Sequence, residues 1–187
     1  MRLRVVKSEY LNMDYNAIID YYYNDETNHR LRNLLLTHSR QVKDTALDVC
    51  YRHPELKADI RIVEAGAMLH DIGIIRCNAP GIYCYGTEPY IKHGTIGSGM
   101  IAQYFQSKKE DEVLMEKLMR ICARHTGTGL PGQEPESIEE KIVCYADKFF
   151  SKTHPEKKKT YQEAVHSLEK FGQEGLIIFS QWHEMFK

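Results

Sequence analysis

Long apolar runs are missing from this 187-residue chain. None approaches the roughly 20 residues that a bilayer-spanning helix needs, so no transmembrane segment and no membrane partner is expected. The opening stretch "MRLRVVKSEYLNMDYN" is basic but lacks the apolar core of a signal peptide, which makes the cytoplasm the expected compartment. An excess of charge of one sign is missing as well: 25 Lys and Arg stand against 26 Asp and Glu. No global field therefore points to a nucleic-acid polymer or an anionic surface. Paired cysteines are also absent. The five present, Cys50, Cys77, Cys84, Cys122 and Cys144, are odd in number and contain no C-x-x-C, which argues against a disulfide framework and a thiolate zinc cluster. Cys50, Cys122 and Cys144 fall in apolar helical patterns and read as small core residues. Cys77 and Cys84 lie close together in a loop, which is a weak reason to expect a bond in a reducing compartment. Internal repeats, low-complexity tracts and alternating strands joined by hairpin turns are not found.

What the chain does have is helical periodicity. Hydrophobic residues make up 42% and charged residues 27%, an ordinary globular composition at a length that suits one domain. Apolar residues recur at helical spacing in Val42, Ala46 and Val49, and again in Val113, Leu114, Leu118, Ile121 and Cys122. Further stripes run through Ile138, Ile142, Val143 and Ala146, and through Tyr161, Ala164, Val165, Leu168 and Phe171. Leu176, Phe179, Trp182 and Phe186 predict a closing helix, Asp14 to Tyr23 a weaker one, and Thr95 to Phe105 a short one. Glycine and proline gather in "CNAPGIYCYGTEPY" and "TGTGLPGQEP", which read as two surface loops. "HPEKKKTY" reads as a solvated helix start. The expected fold is an all-α bundle of about seven to eight helices, by ordinary helix lengths.

Ionisable residues interrupt this pattern at buried-looking places. His38 is expected to open the helix carrying Val42 and Ala46, and His70 and Asp71 to close the apolar helix "EAGAML". His93 stands before Gly94 at a helix start, His125 ends a helix, and Asp147 breaks the run "IVCYADKFF". Desolvating such groups costs several kcal/mol or more, on the order of 2–7 kcal/mol even for an uncharged polar group, unless something compensates. Metal coordination would do so. Imidazole and carboxylate without thiolate suit Fe, Mn, Co or Zn better than calcium. Four histidines and two aspartates exceed what one tetrahedral ion takes, and two ions sharing Asp71 would use all six. Two ions about 3.5–4 Å apart form the usual arrangement for phosphate-ester hydrolysis, with a metal-bound hydroxide attacking phosphorus.

The ordered set His38, "HD" at His70-Asp71 and Asp147 in "ADK" resembles the HD-domain metal-dependent phosphohydrolase superfamily. His93 in "HG" and His125 in "RHTG" make it similar to the six-ligand, two-metal branch. "HSRQV", "LHDIG", "HGTIG", "RHTGTGL" and "EKIVCYADK" resemble small stand-alone HDIG-type hydrolases, among them the bacterial symmetrical diadenosine-tetraphosphate hydrolases. The resemblance covers residues 38–152 of a single domain spanning 1–187, with segment 1–30 and helices within 159–187 packed on it. It implies a helical bundle around a central metal site and divalent transition-metal cofactors. His38, His70, Asp71 and Asp147 would hold the first ion, and His93 and His125 would join Asp71 around the second. Asp71 would also position the bridging hydroxide. The implied substrate is a small phosphorylated molecule such as a nucleotide or dinucleoside polyphosphate.

One departure stands out. Many relatives carry a phosphate-contacting lysine where this chain has Ile74. Arg76, Lys92, Arg124, Lys148 and Lys152 lie near ligands in sequence. Lys148 is the first choice to neutralise the transition state, with Lys92 and Arg124 as further substrate contacts. Cyclic-dinucleotide phosphodiesterases of the H-D-G-Y-P class would have that lysine and a doubled histidine, and neither is present. Tyr83, Tyr85 and Tyr90 could form a lid that stacks on a base or simply cover the core. Tyr21 to Tyr23 read as packing. Glu64 lies two turns before Asp71 and reads as a surface or supporting carboxylate, while His29, His53, His154, His166 and His183 read as ordinary polar residues. Two other functions share the ligand set or the fold: a di-iron oxygenase, and a non-catalytic module that binds nucleotides or a partner. A homo-oligomer is compatible with all three.

Overall fold

The computed structural model describes residues 14–108, 111–127 and 132–187. Most of the opening basic stretch, and positions 128–131 of the second glycine-rich loop, lie outside the described residues. Eight α-helices follow one another: α1 (Tyr15–Tyr22), α2 (His29–Arg52), α3 (Ile60–Leu69), α4 (His93–Lys108), α5 (Glu112–Arg124), α6 (Ile138–Asp147), α7 (Tyr161–Leu168) and α8 (Gln173–Phe186). The fold is all-α, as the periodicity predicts. Its one departure is a hairpin of β1 (Asn78–Ala79) and β2 (Cys84–Tyr85), too short to show as alternation in sequence. None of these helices is long and apolar enough to cross a membrane.

Local chemistry sets the helix starts. The Asp14 carboxylate accepts from the amides of Asn16 and Ala17, and Asp111 does the same for Val113 and Leu114. Thr160 and Glu163 close a reciprocal capping box at the start of α7, so "HPEKKKTY" runs as turn and coil up to Thr160 and enters the helix at Tyr161. Helix α2 begins at His29, nine residues before His38, which corrects the expectation that His38 opens it. Leu31, Leu35 and Leu36 extend the buried stripe N-terminally, and their burial outweighs the polar residues between them. Helix α4 likewise starts at His93 rather than Thr95.

Helix α3 is the axis of the bundle. Ala65, Met68 and Leu69 join one apolar cluster with Ile18, Leu35, Ile101 and Leu118. Ile62, Val63 and Ala67 join a second with Val42, Ile142, Val143 and Phe186. A helix buried on both sides needs apolar residues all round, which accounts for the uninterrupted run before His70. At the C-terminal end of α3 the chain turns through a short 3₁₀ segment, Ile72–Arg76, whose Ile72 and Ile74 join the first cluster.

Glycines let the backbones close in around that turn. A Cβ on Gly73 would lie 2.1 Å from the His93 carbonyl oxygen and 2.5 Å from the Gly97 nitrogen. On Gly97 it would lie 2.6 Å from the Cys122 sulfur, and on Gly94 2.7 Å from the Cys122 carbonyl oxygen. The turn, α4 and α5 are thus in backbone contact, which draws His70, Asp71, His93 and His125 together. Because backbone cannot rotate aside, Gly73→Ala is expected to destabilise the protein by about 3 kcal/mol, read as a lower midpoint in chemical denaturation. Gly81, whose Cβ would meet nothing, is the control.

Candidate metal centre

Six side chains from five parts of the fold converge at the end of α3. His38 comes from mid-α2, His70 and Asp71 from the α3 C-terminus, His93 from the first residue of α4, His125 from the cap of α5 and Asp147 from the last residue of α6. Their ligand atoms form two groups, each with all atoms within 4.8 Å of one another: His38, His70, Asp71 and Asp147, and then Asp71, His93 and His125. Asp71 belongs to both. Its Oδ2 lies 3.1 Å from the Nε2 atoms of His38 and His70, while its Oδ1 lies 3.2 Å from His93 Nε2 and 3.5 Å from His125 Nε2. Asp147 Oδ1 completes the first group, 3.0 Å from His38 Nε2 and 3.5 Å from His70 Nε2.

The backbone aims the imidazoles. His70 Nδ1 donates to the carbonyl of Ala67 at 2.7 Å, His93 Nδ1 to Tyr90 at 2.6 Å and His125 Nδ1 to Cys122 at 2.6 Å. Each acceptor lies three residues earlier in the chain. A proton committed to Nδ1 leaves Nε2 as a lone pair directed inward, the form that binds a metal. The inward nitrogens of His93 and His125 lie 2.9 Å apart, and burial pushes His125 down to about 3. Both Asp71 oxygens are buried and neither accepts a well-formed hydrogen bond, while the Lys152 ammonium pairs with Oδ2. Imidazole nitrogens gathered around a buried carboxylate are what bound cations would hold together, so the donor set fits divalent ions.

Charge tells the same story. Burial alone would raise the Asp71 carboxyl, but the Lys152 ammonium and His70 hold it well below the usual carboxylate range. Burial alone would lower His70, yet Asp71 and Asp147 raise it to about 9. The metal-free centre therefore keeps a proton on His70 that a metal must displace. Divalent-ion binding near neutral pH should release about one proton per chain, measurable by calorimetry in buffers of different ionisation enthalpy. Because the folded value of about 9 exceeds the reference 6.5, His70 stabilises the metal-free fold fully below pH 6.5. That contribution fades as pH rises through 9, so the metal-free melting temperature should fall over this interval.

The three cations expected to meet substrate each have partners within the protein. Lys92 is exposed and lies 3.5 Å from Glu88. Arg124 donates to the Glu134 carbonyl at 2.7 Å and pairs with Glu136 at 2.9 Å, bracing the segment ahead of α6. Lys148 donates to the His125 carbonyl at 3.0 Å and lies 3.4 Å from Asp147 Oδ2, tying the end of α5 to α6. Lys152 is the cation that reaches the shared ligand, its ammonium 2.5 Å from Asp71 Oδ2. It lies in the turn and coil beyond the end of α6, so nearness to Asp147 in sequence was the signal available and helical spacing was not.

A cavity of about 450 Å³ opens beside Asp147. Ala79, Pro80, Ile82 and Phe150 give it apolar walls, and Tyr90, Ser151, Lys152 and Thr153 polar ones. Of the three loop tyrosines only Tyr90 lines it, stacked on His93 with ring centroids 4.6 Å apart. Tyr83 and Tyr85 are exposed, and Arg30 lies over the Tyr83 ring. Glu64 accepts from the Tyr15 hydroxyl at 3.3 Å and belongs to neither ligand group. Tyr22 and Tyr23 donate to backbone carbonyls of Met100 and Ile72. Half-buried His183 stacks on Tyr161 and bonds the Tyr145 hydroxyl. All five cysteines are buried and free, Cys77 and Cys84 included.

The chain is 29% identical over 152 residues to a tRNA (cytidine(56)-2'-O)-methyltransferase of Thermoplasma volcanium, covering 75% of this chain and 38% of that protein. It is 32% identical over 131 residues to the protein of the same name from Picrophilus torridus, covering 64% of this chain and 32% of the other. An uncharacterized protein of Methanocaldococcus jannaschii is 27% identical over 113 residues, covering 54% and 56%. The chain thus spans only about a third of the length of those methyltransferases (38% and 32%). The HD domain family model matches residues 35–151, a stretch that begins just before His38 and ends just after Asp147. With its histidine–aspartate pair at the centre of an all-α bundle and every converging ligand inside that stretch, the chain belongs to the HD domain family.

Proposed function

We propose that this chain is a metal-dependent phosphohydrolase that cleaves a phosphate ester or phosphoanhydride of a small nucleotide-like substrate. The observation that carries the reading is Asp71, whose two oxygens face two separate ligand groups. His38, His70, Asp71 and Asp147 would hold one divalent ion, and Asp71, His93 and His125 a second. Such ions supply an activated water and neutralise charge on phosphoryl oxygens. The chain's own residues do the rest. The carbonyl-backed imidazoles keep their lone pairs aimed inward, and burial of the ligand set excludes bulk water, so charges there interact more strongly. The cavity beside Asp147 offers room for the part of the substrate that carries the phosphate.

The six-ligand order supports the HDIG-type branch, and with it a likeness to the symmetrical diadenosine-tetraphosphate hydrolases. The methyltransferase relatives act, by name, on tRNA, which agrees with a ribose- and phosphate-bearing substrate here. Metal analysis of protein purified without chelator, paired with chromatographic analysis of the products from nucleotides and dinucleoside polyphosphates with Fe(II), Mn(II) or Co(II), tests the reading. Two ions per chain with metal-dependent hydrolysis, seen as inorganic phosphate from a monoester or as nucleotide fragments from a phosphoanhydride, is the expected result. A fully loaded protein that hydrolyses none of them would overturn it, and oxygen uptake after anaerobic iron loading would favour the oxygenase instead.

A further inference from the structure

The phosphohydrolase reading leaves open which cation meets the substrate, since Ile74 stands where many relatives have a lysine and is itself buried. We propose that Lys152, on the lining of the cavity, receives the substrate phosphate and selects small phosphomonoesters that bear an apolar or aromatic group. This inference rests on the hydrolase reading and narrows its substrate.

Position is the first argument. Lys152 lies five residues past Asp147 and faces two things at once: its ammonium contacts Asp71 Oδ2 at 2.5 Å, and its side chain lines the 450 Å³ cavity. The atom it touches is the carboxylate shared by both ligand groups. An ion held by His38, His70 and Asp147 would compete for that same oxygen. Lys152 would then be freed from Asp71 to turn into the cavity it lines. The phosphate of a substrate seated against the ligand groups would lie within reach of both.

Neighbouring groups favour this role. Tyr90, stacked on His93 and lining the cavity, stands beside the lysine. Ser151 and Thr153 flank it in sequence, share a hydroxyl–hydroxyl contact of 2.9 Å and line the cavity too. Two hydroxyls and one ammonium make a small, polar landing site. On the same lining Ile82, Pro80 and Phe150 supply apolar surface that suits a planar base or comparable group.

Size and the number of fixed cations favour the substrate class. Among the described residues lining the cavity, Lys152 is the one cation and Asp147 the one anion. One ammonium offers a fixed contact to one phosphoryl group, and a cavity of about 450 Å³ suits a single nucleoside better than the two bases and four phosphates of a dinucleoside tetraphosphate.

The test uses the full-length protein loaded with Mn(II), titrated calorimetrically with inorganic phosphate, 5′-AMP, adenosine and diadenosine tetraphosphate, for wild type, Lys152→Met and Lys152→Arg. Thermal unfolding and metal content are measured on the same samples. In Lys152→Met, binding of phosphate and 5′-AMP should weaken about tenfold or more, since a charged hydrogen bond is lost. Adenosine binding and metal content should hold, and Lys152→Arg should recover most of the loss. Wild type should bind 5′-AMP more tightly than diadenosine tetraphosphate. Unchanged phosphate binding in Lys152→Met overturns the proposal, and so does loss of metal together with phosphate, which would make Lys152 a part of the metal-site scaffold. A preference for diadenosine tetraphosphate overturns the substrate class. Turnover by the wild type, measured separately, decides the hydrolase reading, so phosphate that binds through Lys152 without being released from a substrate would fail that reading alone.

Discussion

Replacing Asp71 with alanine should abolish metal binding and lower turnover by about 10⁴-fold or more, the largest effect expected from any single substitution here. The reason is its double membership: Oδ2 faces His38 and His70, Oδ1 faces His93 and His125, and among the described residues no other side chain belongs to both groups of ligands. Losing it removes an anion from each ion's surroundings and the link that sets their separation. A second effect follows in the metal-free protein. His70 and Lys152 both owe their charge to Asp71, and without it both ammonium and imidazolium are left buried with less compensation. Removing one partner of a buried ion pair costs about 3–5 kcal/mol, so the metal-free variant should unfold at a clearly lower denaturant concentration. Asp71→Asn keeps the volume and should show the same loss of metal. Retention of two ions by either variant, measured by elemental analysis, would refute the shared-ligand arrangement.

His125→Ala separates the two groups. His38, His70, Asp71 and Asp147 remain complete, while the second group is reduced to Asp71 and His93. Metal content should drop from two ions per chain to one, and turnover by about 10²–10³-fold, a loss comparable to removing one strong electrostatic contact in a transition state. The fold should tolerate the change better than most buried truncations. The imidazole makes a single hydrogen bond to backbone, at the Cys122 carbonyl, and that carbonyl can accept from water instead. His38→Ala is the reciprocal experiment, expected to empty the first group. If both variants still hold two ions, the ligand assignment is wrong; if both lose all metal, the two groups are one cooperative site.

The sequence made the ligands legible because each violates its surroundings. His70 and Asp71 end a helix buried on both sides, and Asp147 ends the run "IVCYAD", so their polarity stands out against the apolar period. His38 was recognisable as a ligand although its place in the helix was not, because the stripe of Leu31, Leu35 and Leu36 continues the pattern without a break signal. The cations were harder. Lys148 and Lys152 lie close together in one short stretch, and which of them reaches Asp71 depends on where α6 stops. That helix ends at Asp147, and Lys148 then folds back to the His125 carbonyl, a long-range contact that no local pattern encodes. The lid expectation met a similar limit. The left-handed turn at Tyr83 sends Tyr83 and Tyr85 outward, and only Tyr90 returns to the cavity.

Three of the four imidazoles are steadied by a carbonyl from their own peptide segment, three positions upstream. Each histidine therefore arrives with its own support, carried on a four-residue fragment instead of borrowed from a distant acid. Drift elsewhere in the molecule, including wholesale change in the walls that contact substrate, can proceed without misaligning these rings. A family built this way can exchange substrates while inheriting its chemistry intact.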